Sequence, residues 1–384
     1  MKNKAFVQTC FYYSFIFMAT SGLAAYMSLF FAAMNQTDTQ IGILTSIGAV
    51  VGIIASPFWG IRGDRANSKN NVLAICLLLS AAVIWLLPLF GKNFFLLLLA
   101  MIIFSFFRSA INPLSDAISL ELATKENFQF SKVRTAGSLG FAIMSMVAGM
   151  MIEIHINAIF IIYTLLITAS FFVLLRLPQI SGYQKEAANI NFFQVLKSPS
   201  LKKIYLYVLV LSTSFGFFGA FHALYSVQEG ISVGLLGVGV MLGSFSQFPF
   251  MLFFDKLYRK FGIRNIIIVA GIFNAIRWLL YAYWLNSVSI LFLWLLHGGS
   301  FILVYLSIAE YVHRYVQKEL KVSGQMMNAI ILQGAGQILG GIAGGFSAGL
   351  LGYGVVFGAM GVLCIAGVLF FVIATRKNPT LIDH

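Results

Sequence analysis

The chain is too apolar and too sparsely charged to be a soluble globular protein. It has 384 residues, of which 60% are hydrophobic and 10% are charged, whereas soluble domains carry about 25% charged residues. The composition therefore excludes a water-soluble fold and indicates a protein solvated by lipid. The net charge of +13 does not indicate nucleic-acid binding, because the basic residues lie in short segments between apolar blocks.

The apolar residues form blocks about twenty residues long, the length a helix needs to cross about 30 Å of hydrocarbon. The blocks end at polar or turn-rich stretches. We therefore predict an all-α integral membrane protein with twelve transmembrane helices. The predicted helices 1 to 12 cover residues 5–34, 40–61, 71–91, 94–121, 133–154, 157–178, 203–227, 233–254, 265–285, 288–311, 326–350 and 354–375.

The basic residues predict which side of the membrane each loop faces. Every second loop, together with the two chain ends and the adjoining helix ends, should face the same side of the membrane. These segments hold twenty-two of the twenty-five lysines and arginines, and the exceptions are Lys92, Arg108 and Arg277. Cytoplasmic loops concentrate lysine and arginine. We therefore expect a multi-pass protein of the cytoplasmic membrane with both termini in the cytoplasm.

A long polar connection near the middle of the chain predicts two similar halves. We expect an N-terminal six-helix bundle over 1–178, a cytoplasmic linker over 179–202, and a C-terminal six-helix bundle with a short cytoplasmic tail over 203–384. A repeat supports this division, because helices 2 and 8 both end in an aspartate followed by basic residues. We expect Asp64, Arg65 and Asp255 to form a conformational latch, the alternative being solvated loops that only set topology.

Glycines recur where helices are expected to approach closely. Helix 2 contains Gly48 and Gly52, and helix 11 contains the run Gly336, Gly340 and Gly344. Small residues at this spacing are typical of helix packing in membranes. They predict close contact between helices and carry no chemistry of their own.

Two motifs resemble those of a known family. The loop Gly60-Ile-Arg-Gly-Asp-Arg-Ala-Asn-Ser-Lys69 is similar to the helix 2–3 signature of the major facilitator superfamily. The stretch Asn127-Phe-Gln-Phe-Ser-Lys-Val-Arg-Thr-Ala-Gly-Ser-Leu-Gly-Phe141 resembles the opening of helix 5 in its branch containing lactose permease and phenylpropionate-type permeases. The resemblance implies the major facilitator fold, transport by alternating access between two bundles, and a monomer.

The resemblance also implies a substrate site. Asp116 precedes Arg134 by eighteen residues, the spacing of the acidic residue and arginine that hold sugar hydroxyls in lactose permease. We expect Asp116, Arg134, Arg108 and Gln247 to bind substrate, with Asp116 between the two guanidinium groups. The alternative for Asp116 and Arg134 is a structural ion pair, and for the Gln247 region a simple kink at Pro249.

A second implied site concerns protons. Arg277 and His297 are twenty residues apart, which matches the coupling arginine and histidine of lactose permease. We expect Asp116, Arg277 and His297 to couple proton movement to transport, the alternative for His297 being a structural hydrogen bond. The chain departs from that branch at Ser300, where the permease has a proton-carrying glutamate, and at Trp294, where it has a lysine.

Three polar residues of helix 7 have a less specific pattern. His222, Tyr225 and Gln228 lie broadly on one face near the predicted outer end. They suit either an outer gate or the aromatic belt at the membrane surface, and we expect the belt.

The leading functional hypothesis is secondary active transport of a small organic solute by alternating access, with proton symport. The solute classes left open are a sugar, a nucleoside, or a small aromatic or carboxylic acid. Alternatives are proton-driven efflux of hydrophobic compounds and a non-transporting nutrient sensor. An enzyme is not expected, because no loop is long enough to build a catalytic site. Neither a metal nor another cofactor is expected, since Cys10, Cys76 and Cys364 have no metal-ligand spacing.

Overall fold

The computed structural model describes residues 2–182, 199–316 and 320–376, without the side chains of residues 2, 3, 321 and 322. Regular structure in these ranges is entirely helical. Ten described helical segments are long and apolar enough to cross a membrane, and one further apolar helix, Ala158–Leu174, is shorter. One of the ten, Val233–Tyr283, has 51 residues and is broken at Gly262. The predicted all-α membrane fold of twelve helices is confirmed within the described residues.

We number these helices α1 to α12 in chain order. Their bounds are Lys2–Ala33 (α1), Asp38–Arg65 (α2), Lys69–Phe90 (α3), Phe94–Lys125 (α4), Phe130–Ile154 (α5), Ala158–Leu174 (α6), Pro199–Gln228 (α7), 233–261 (α8), 263–283 (α9), Ser289–Tyr315 (α10), Lys321–Ala329 with Ile330–Ala335 and Gly336–Leu351 (α11), and Tyr353–Thr375 (α12).

Helices α8 and α9 meet at a single residue. Gly262 has φ 71° and ψ 160°, outside the helical region. A residue without Cβ adopts positive φ at little steric cost. The chain therefore leaves α8 and starts α9 without an intervening polar loop.

Several helices are interrupted inside the apolar blocks. The segment α4 consists of Phe94–Arg108 and Ile111–Lys125, and Pro113 accounts for the break because its ring conflicts with the carbonyl four residues earlier. α10 and α11 each contain a π-helical turn, at Gly298–Ile302 and at Ile330–Ala335. Such turns are rare and often lie at functional sites.

The chain divides into two compact units. One unit comprises residues 1–40, 44–187 and 233–241, and the other comprises residues 41–43, 188–232 and 242–384. The division into bundles at 1–178 and 203–384 stays a prediction. Most of the predicted linker, residues 183–198, and the predicted tail after residue 376 lie outside the described residues.

Within the first unit, α1 packs along α5 and α6, and α3 packs along α4 and α6. Close approach of α1 and α5 depends on two glycines of the helix 5 motif. A Cβ on Gly137 would lie 2.6 Å from the Tyr13 ring, and a Cβ on Gly140 would lie 3.0 Å from Met18. Gly137 therefore leaves room for the Tyr13 ring, and Gly140 lets α5 approach α1 beside Met18.

Within the second unit, α7 packs along α11 and α12. A Cβ on Gly336, Gly340 or Gly344 would overlap atoms of α7 between Ser212 and Phe217. The predicted packing role of this glycine run is confirmed. On α2, a Cβ at Gly48 would make ordinary contact with Ser105 at 3.5 Å, whereas nothing lies within 4 Å of one at Gly52, so the packing prediction for Gly52 is wrong in this structure.

Replacing Gly340 by alanine should destabilise the second unit. The new methyl group would overlap the Thr213 carbonyl oxygen and the Phe217 nitrogen, and overpacking of this kind costs about 1–3 kcal/mol. Gly52→Ala is the matched control, because its methyl group meets open space. Thermal unfolding of the purified protein measures both. Equal unfolding temperatures for the two variants would contradict the packing role of Gly340.

Candidate functional site

A carboxylate of α4 lies beside a tyrosine of α1 and an arginine of α5. The Tyr13 hydroxyl donates a hydrogen bond to Asp116 Oδ1 at 2.5 Å. Arg134 Nη1 lies 4.0 Å from Asp116 Oδ2, and the side chains of Asp116 and Arg134 are 43% and 50% exposed. One carboxylate oxygen is therefore held by a short hydrogen bond, while the other makes only a loose ion pair and can accept a further donor.

The expected partnership between Arg108 and Asp116 is not observed. Among the described residues no ion pair joins them, and Arg108 Nε is buried without a hydrogen-bond partner. The interruption of α4 lies between the two residues. Their spacing along an unbroken helix therefore does not predict whether their side chains meet. The structure thus brings Asp116 together with Arg134 and Tyr13, but not with Arg108.

In the second unit, α9 and α10 bring an arginine and a histidine into direct contact. Arg277 is fully buried, and its Nη1 lies 2.9 Å from His297 Nδ1. Because guanidinium nitrogens only donate, Nδ1 of His297 is the acceptor and carries no proton. Protonation of Nδ1 would therefore break the hydrogen bond to Arg277.

The neighbouring position of α10 cannot replace the glutamate of the permease branch. Ser300 is buried, and its hydroxyl donates to the His297 carbonyl oxygen at 3.2 Å within the π-helical turn. Unlike a carboxylate, a serine hydroxyl neither takes up nor releases a proton at ordinary pH. Any proton carried by this part of α10 must therefore reside on His297.

Aromatic rings surround the Arg277 guanidinium. Its carbon lies 4.3 Å from the ring centre of Phe218, 4.7 Å from Trp278, 5.3 Å from Trp294 and 5.8 Å from Tyr281. Such contacts stabilise a desolvated cation through the faces of the rings. They do not satisfy N–H donors that lie in the guanidinium plane.

His222 belongs to the same cluster, so its expected place in the aromatic belt is wrong. It is buried, its ring stacks on Phe218 at 4.5 Å, and its Nδ1 lies 2.8 Å from the Phe218 carbonyl oxygen. Tyr225 is also buried and stacks on Phe357. Hydropathy placed these residues by depth along the chain and could not show which side of α7 faces α9 and α10.

Gln247 lies in the part of α8 that contacts α10 directly after His297. The Gly298 N–H donates to Ser246 Oγ at 3.0 Å, and a Cβ on Gly298 would overlap the Ser246 carbonyl. The helix continues through Pro249. Gln247 therefore shares its neighbourhood with His297 in the second unit, whereas Asp116 and Arg134 belong to the first.

The residues expected to form a latch differ in their contacts. Asp64 lies 3.4 Å from Lys69 Nζ, and Lys69 also lies 4.0 Å from Glu121. Arg65 is exposed. In the described part of the chain no ion pair involves Asp255, so the sequence repeat of helices 2 and 8 is not matched by a repeated contact.

The loop after α2 is also tied to the segment that follows α6. The Lys69 N–H donates to the Ile180 carbonyl oxygen at 2.7 Å, and the Gly182 N–H donates to the Ala66 carbonyl oxygen at 3.0 Å. The Asn70 side chain bonds both Pro178 and Ile180. The segment 178–182 is therefore fixed to the α2–α3 loop.

Comparison with known proteins agrees with this architecture. The family model described as the MFS_1 like family matches residues 7–359. The uncharacterized transporter YwbF of Bacillus subtilis is 27% identical over 96% of this chain and 94% of its own length. The maltose permease of Geobacillus stearothermophilus is 23% identical over 96% and 94%. A crystal structure of the nucleoside transporter NupG has a TM-score of 0.86 at 18% identity, covering 96% of this chain and 98% of that one.

We predict that Asp116 and Arg134 face water and not lipid. Ionisable side chains inside a membrane protein border a wet cavity or a partner. In a background with Cys10, Cys76 and Cys364 replaced, Asp116→Cys and Arg134→Cys should react with a membrane-impermeant maleimide. Their rates should exceed that of the buried control Ser115→Cys by about tenfold or more, because a thiol in apolar surroundings rarely ionises. Reaction rates as low as the control would place both residues away from water.

Proposed function

This chain belongs to the MFS_1 like family, and from that premise we propose that it is a secondary active transporter that moves a small organic solute with a proton. It is a multi-pass membrane transporter. We propose that it acts as a monomer in the cytoplasmic membrane, with both termini in the cytoplasm. Solute and proton cross by alternating access, a mechanism that uses a site open to one side of the membrane at a time.

The observation that carries the proposal is the half-exposed Asp116. A carboxylate in an apolar helix has a high desolvation penalty unless water, a partner or a ligand meets it. Tyr13 meets one oxygen, and Arg134 is 4.0 Å from the other. A solute hydroxyl or amine fits between Asp116 and Arg134 as donor to the carboxylate, while the guanidinium offers donors to a solute oxygen.

His297 supports the proton part of the proposal. Its Nδ1 accepts a hydrogen bond from Arg277, so proton binding there and the Arg277 contact exclude each other. A group with this property links protonation to a change in helix contacts between α9 and α10. Asp116 is the second proton-binding candidate, because protonation of its carboxylate would weaken the ion pair with Arg134. Gln247 and Arg108 remain candidates for solute contact.

Proton coupling is tested in liposomes that contain the purified protein and an internal pH dye. Sugars, nucleosides and aromatic or carboxylic acids are supplied outside, and solute-driven acidification inside is expected for the transported class. Asp116→Asn and His297→Ala should abolish the proton signal. Glu126→Gln, which alters a carboxylate at the end of α4, is the matched control and should retain it. Solute entry without proton movement in the wild type would reduce the protein to a facilitator.

We also propose that Asp64 and Lys69 form the latch between conformations, with Arg65 contributing positive charge at the membrane surface. Asp64→Asn should slow solute counterflow several-fold, because it removes the nearer of the two carboxylates that pair with the largely buried Lys69. Asp255→Asn tests the proposed counterpart in α8. Since Asp255 has no ion pair with a described residue, we expect a smaller effect there. An unchanged counterflow rate in Asp64→Asn would remove the latch from the mechanism.

A further inference from the structure

The Arg277 guanidinium is a buried charge without a carboxylate partner in the part of the chain that the structure describes. No acidic residue occurs in the sequence between Asp255 and Glu310, so neither α9 nor the membrane-embedded part of α10 supplies one. A buried cation without a counter-ion is strongly destabilising. The aromatic rings around Arg277 compensate only part of this, because they contact the faces of the guanidinium.

The N–H groups in the plane of the Arg277 guanidinium indicate which kind of ligand would pair with it. Nη1 is used by His297, whereas Nε and Nη2 are buried without a hydrogen-bond partner. Nε–H and Nη2–H lie on one side of the planar guanidinium and point in parallel. This edge matches the two oxygens of a carboxylate in a bidentate pair.

Other polar atoms without a well-aligned hydrogen bond lie around the same group. Trp294 Nε1 is buried without a hydrogen-bond partner. The buried Tyr281 hydroxyl interacts with the Arg277 guanidinium but makes no well-aligned hydrogen bond, and both rings lie within 6 Å of the guanidinium carbon. His222 Nε2, next to Trp294, is also without a partner, but it is an acceptor, because His222 Nδ1–H donates to the Phe218 carbonyl oxygen. Buried polar groups in native proteins are nearly always hydrogen-bonded. Three side chains of one cluster, Arg277, Trp294 and Tyr281, have N–H or O–H groups without a well-aligned hydrogen bond, which indicates a ligand that accepts hydrogen bonds.

We propose that the Nε–Nη2 edge of Arg277 binds the carboxylate of an apolar organic acid, with Trp294 and Tyr281 as additional donors and the surrounding rings contacting the apolar body. As a statement about the solute, this rests on the transport function proposed above. It narrows the solute class to small carboxylic acids with an apolar or aromatic remainder. The anion supplies the charge that no acidic residue of α9 or α10 provides.

Part of the cluster is accessible beside His297. The donor atoms have no accessible surface, whereas Phe215, His297 and Phe301 are only partly buried and their rings contact one another. Movement of the stacked pair His297 and Phe301 would open the way to Arg277. Carboxylate binding would then compete with, or follow, release of the Arg277–His297 hydrogen bond.

Binding is measured on the detergent-purified protein, where no transport occurs, by thermal unfolding and tryptophan fluorescence. The probes are sodium 3-phenylpropionate and sodium benzoate, each paired with its uncharged amide, and sodium acetate, all at constant ionic strength. The acids should raise the unfolding temperature and the amides should not. Stabilisation by the amides as well, or by none of the acids, would overturn the proposal.

Variants locate the site. Arg277→Lys keeps the charge but lacks the bidentate edge, and Trp294→Phe removes one donor; each should raise the dissociation constant about tenfold, the effect of losing one hydrogen bond to a charged group. Trp284→Phe is the matched control, because the Trp284 side chain is exposed and is not one of the rings around Arg277. Unchanged binding in Arg277→Lys and Trp294→Phe would exclude this edge.

The measurement with sodium acetate distinguishes two possible ligands of Arg277, a transported aromatic acid and a small free anion. Stabilisation by aromatic acids alone supports binding of the transported solute. If acetate stabilises the protein as much as the aromatic acids do, Arg277 still binds a carboxylate, but the site does not recognise an apolar solute. The proposed solute class would then be wrong. Proton-coupled uptake of a neutral sugar in liposomes, without carboxylate binding in detergent, would leave the transport function intact and overturn only this inference.

Discussion

The cost of an unpaired charge in hydrocarbon governs the arrangement of this molecule. Lipid cannot hydrate an ion, so each ionisable group inside the membrane needs water, a partner or a ligand. Asp116 meets a tyrosine and an arginine, and its cluster is half-exposed. Arg277 is fully buried among aromatic rings and contacts His297. The two units therefore solve the same physical problem with different residues.

Helix packing sets the positions of these charged groups. Without a hydrophobic driving force between helices in lipid, close backbone approach depends on small residues. Gly137 admits the Tyr13 ring that holds Asp116, and Gly340 admits the backbone of α7. α7 in turn carries Phe218 and His222 to the Arg277 cluster. Glycines that take part in no chemistry thus determine the geometry of both polar clusters.

The sequence was sufficient for the number and approximate limits of the helices, because apolar length is a local property of the chain. The resemblance to the lactose permease branch paired Arg277 with His297, and the structure places them in contact. The sequence was insufficient where lateral neighbours matter. His222 was expected at the membrane surface, and Arg108 was expected beside Asp116, because depth does not reveal which face of a helix meets which partner. The break in α4 and the π-helical turns in α10 and α11 leave no simple periodic signal.

The one-residue junction at Gly262 makes the length of the α8–α9 connection critical. Each residue added to a helix rotates everything after it by about 100° and advances it by 1.5 Å. A longer loop would absorb an inserted or deleted residue, but a junction of this kind passes the change directly into α9. One inserted residue near Gly262 would turn Arg277 away from His297 and toward a different neighbour. Natural length variation in this protein is therefore expected in other loops and not at this turn.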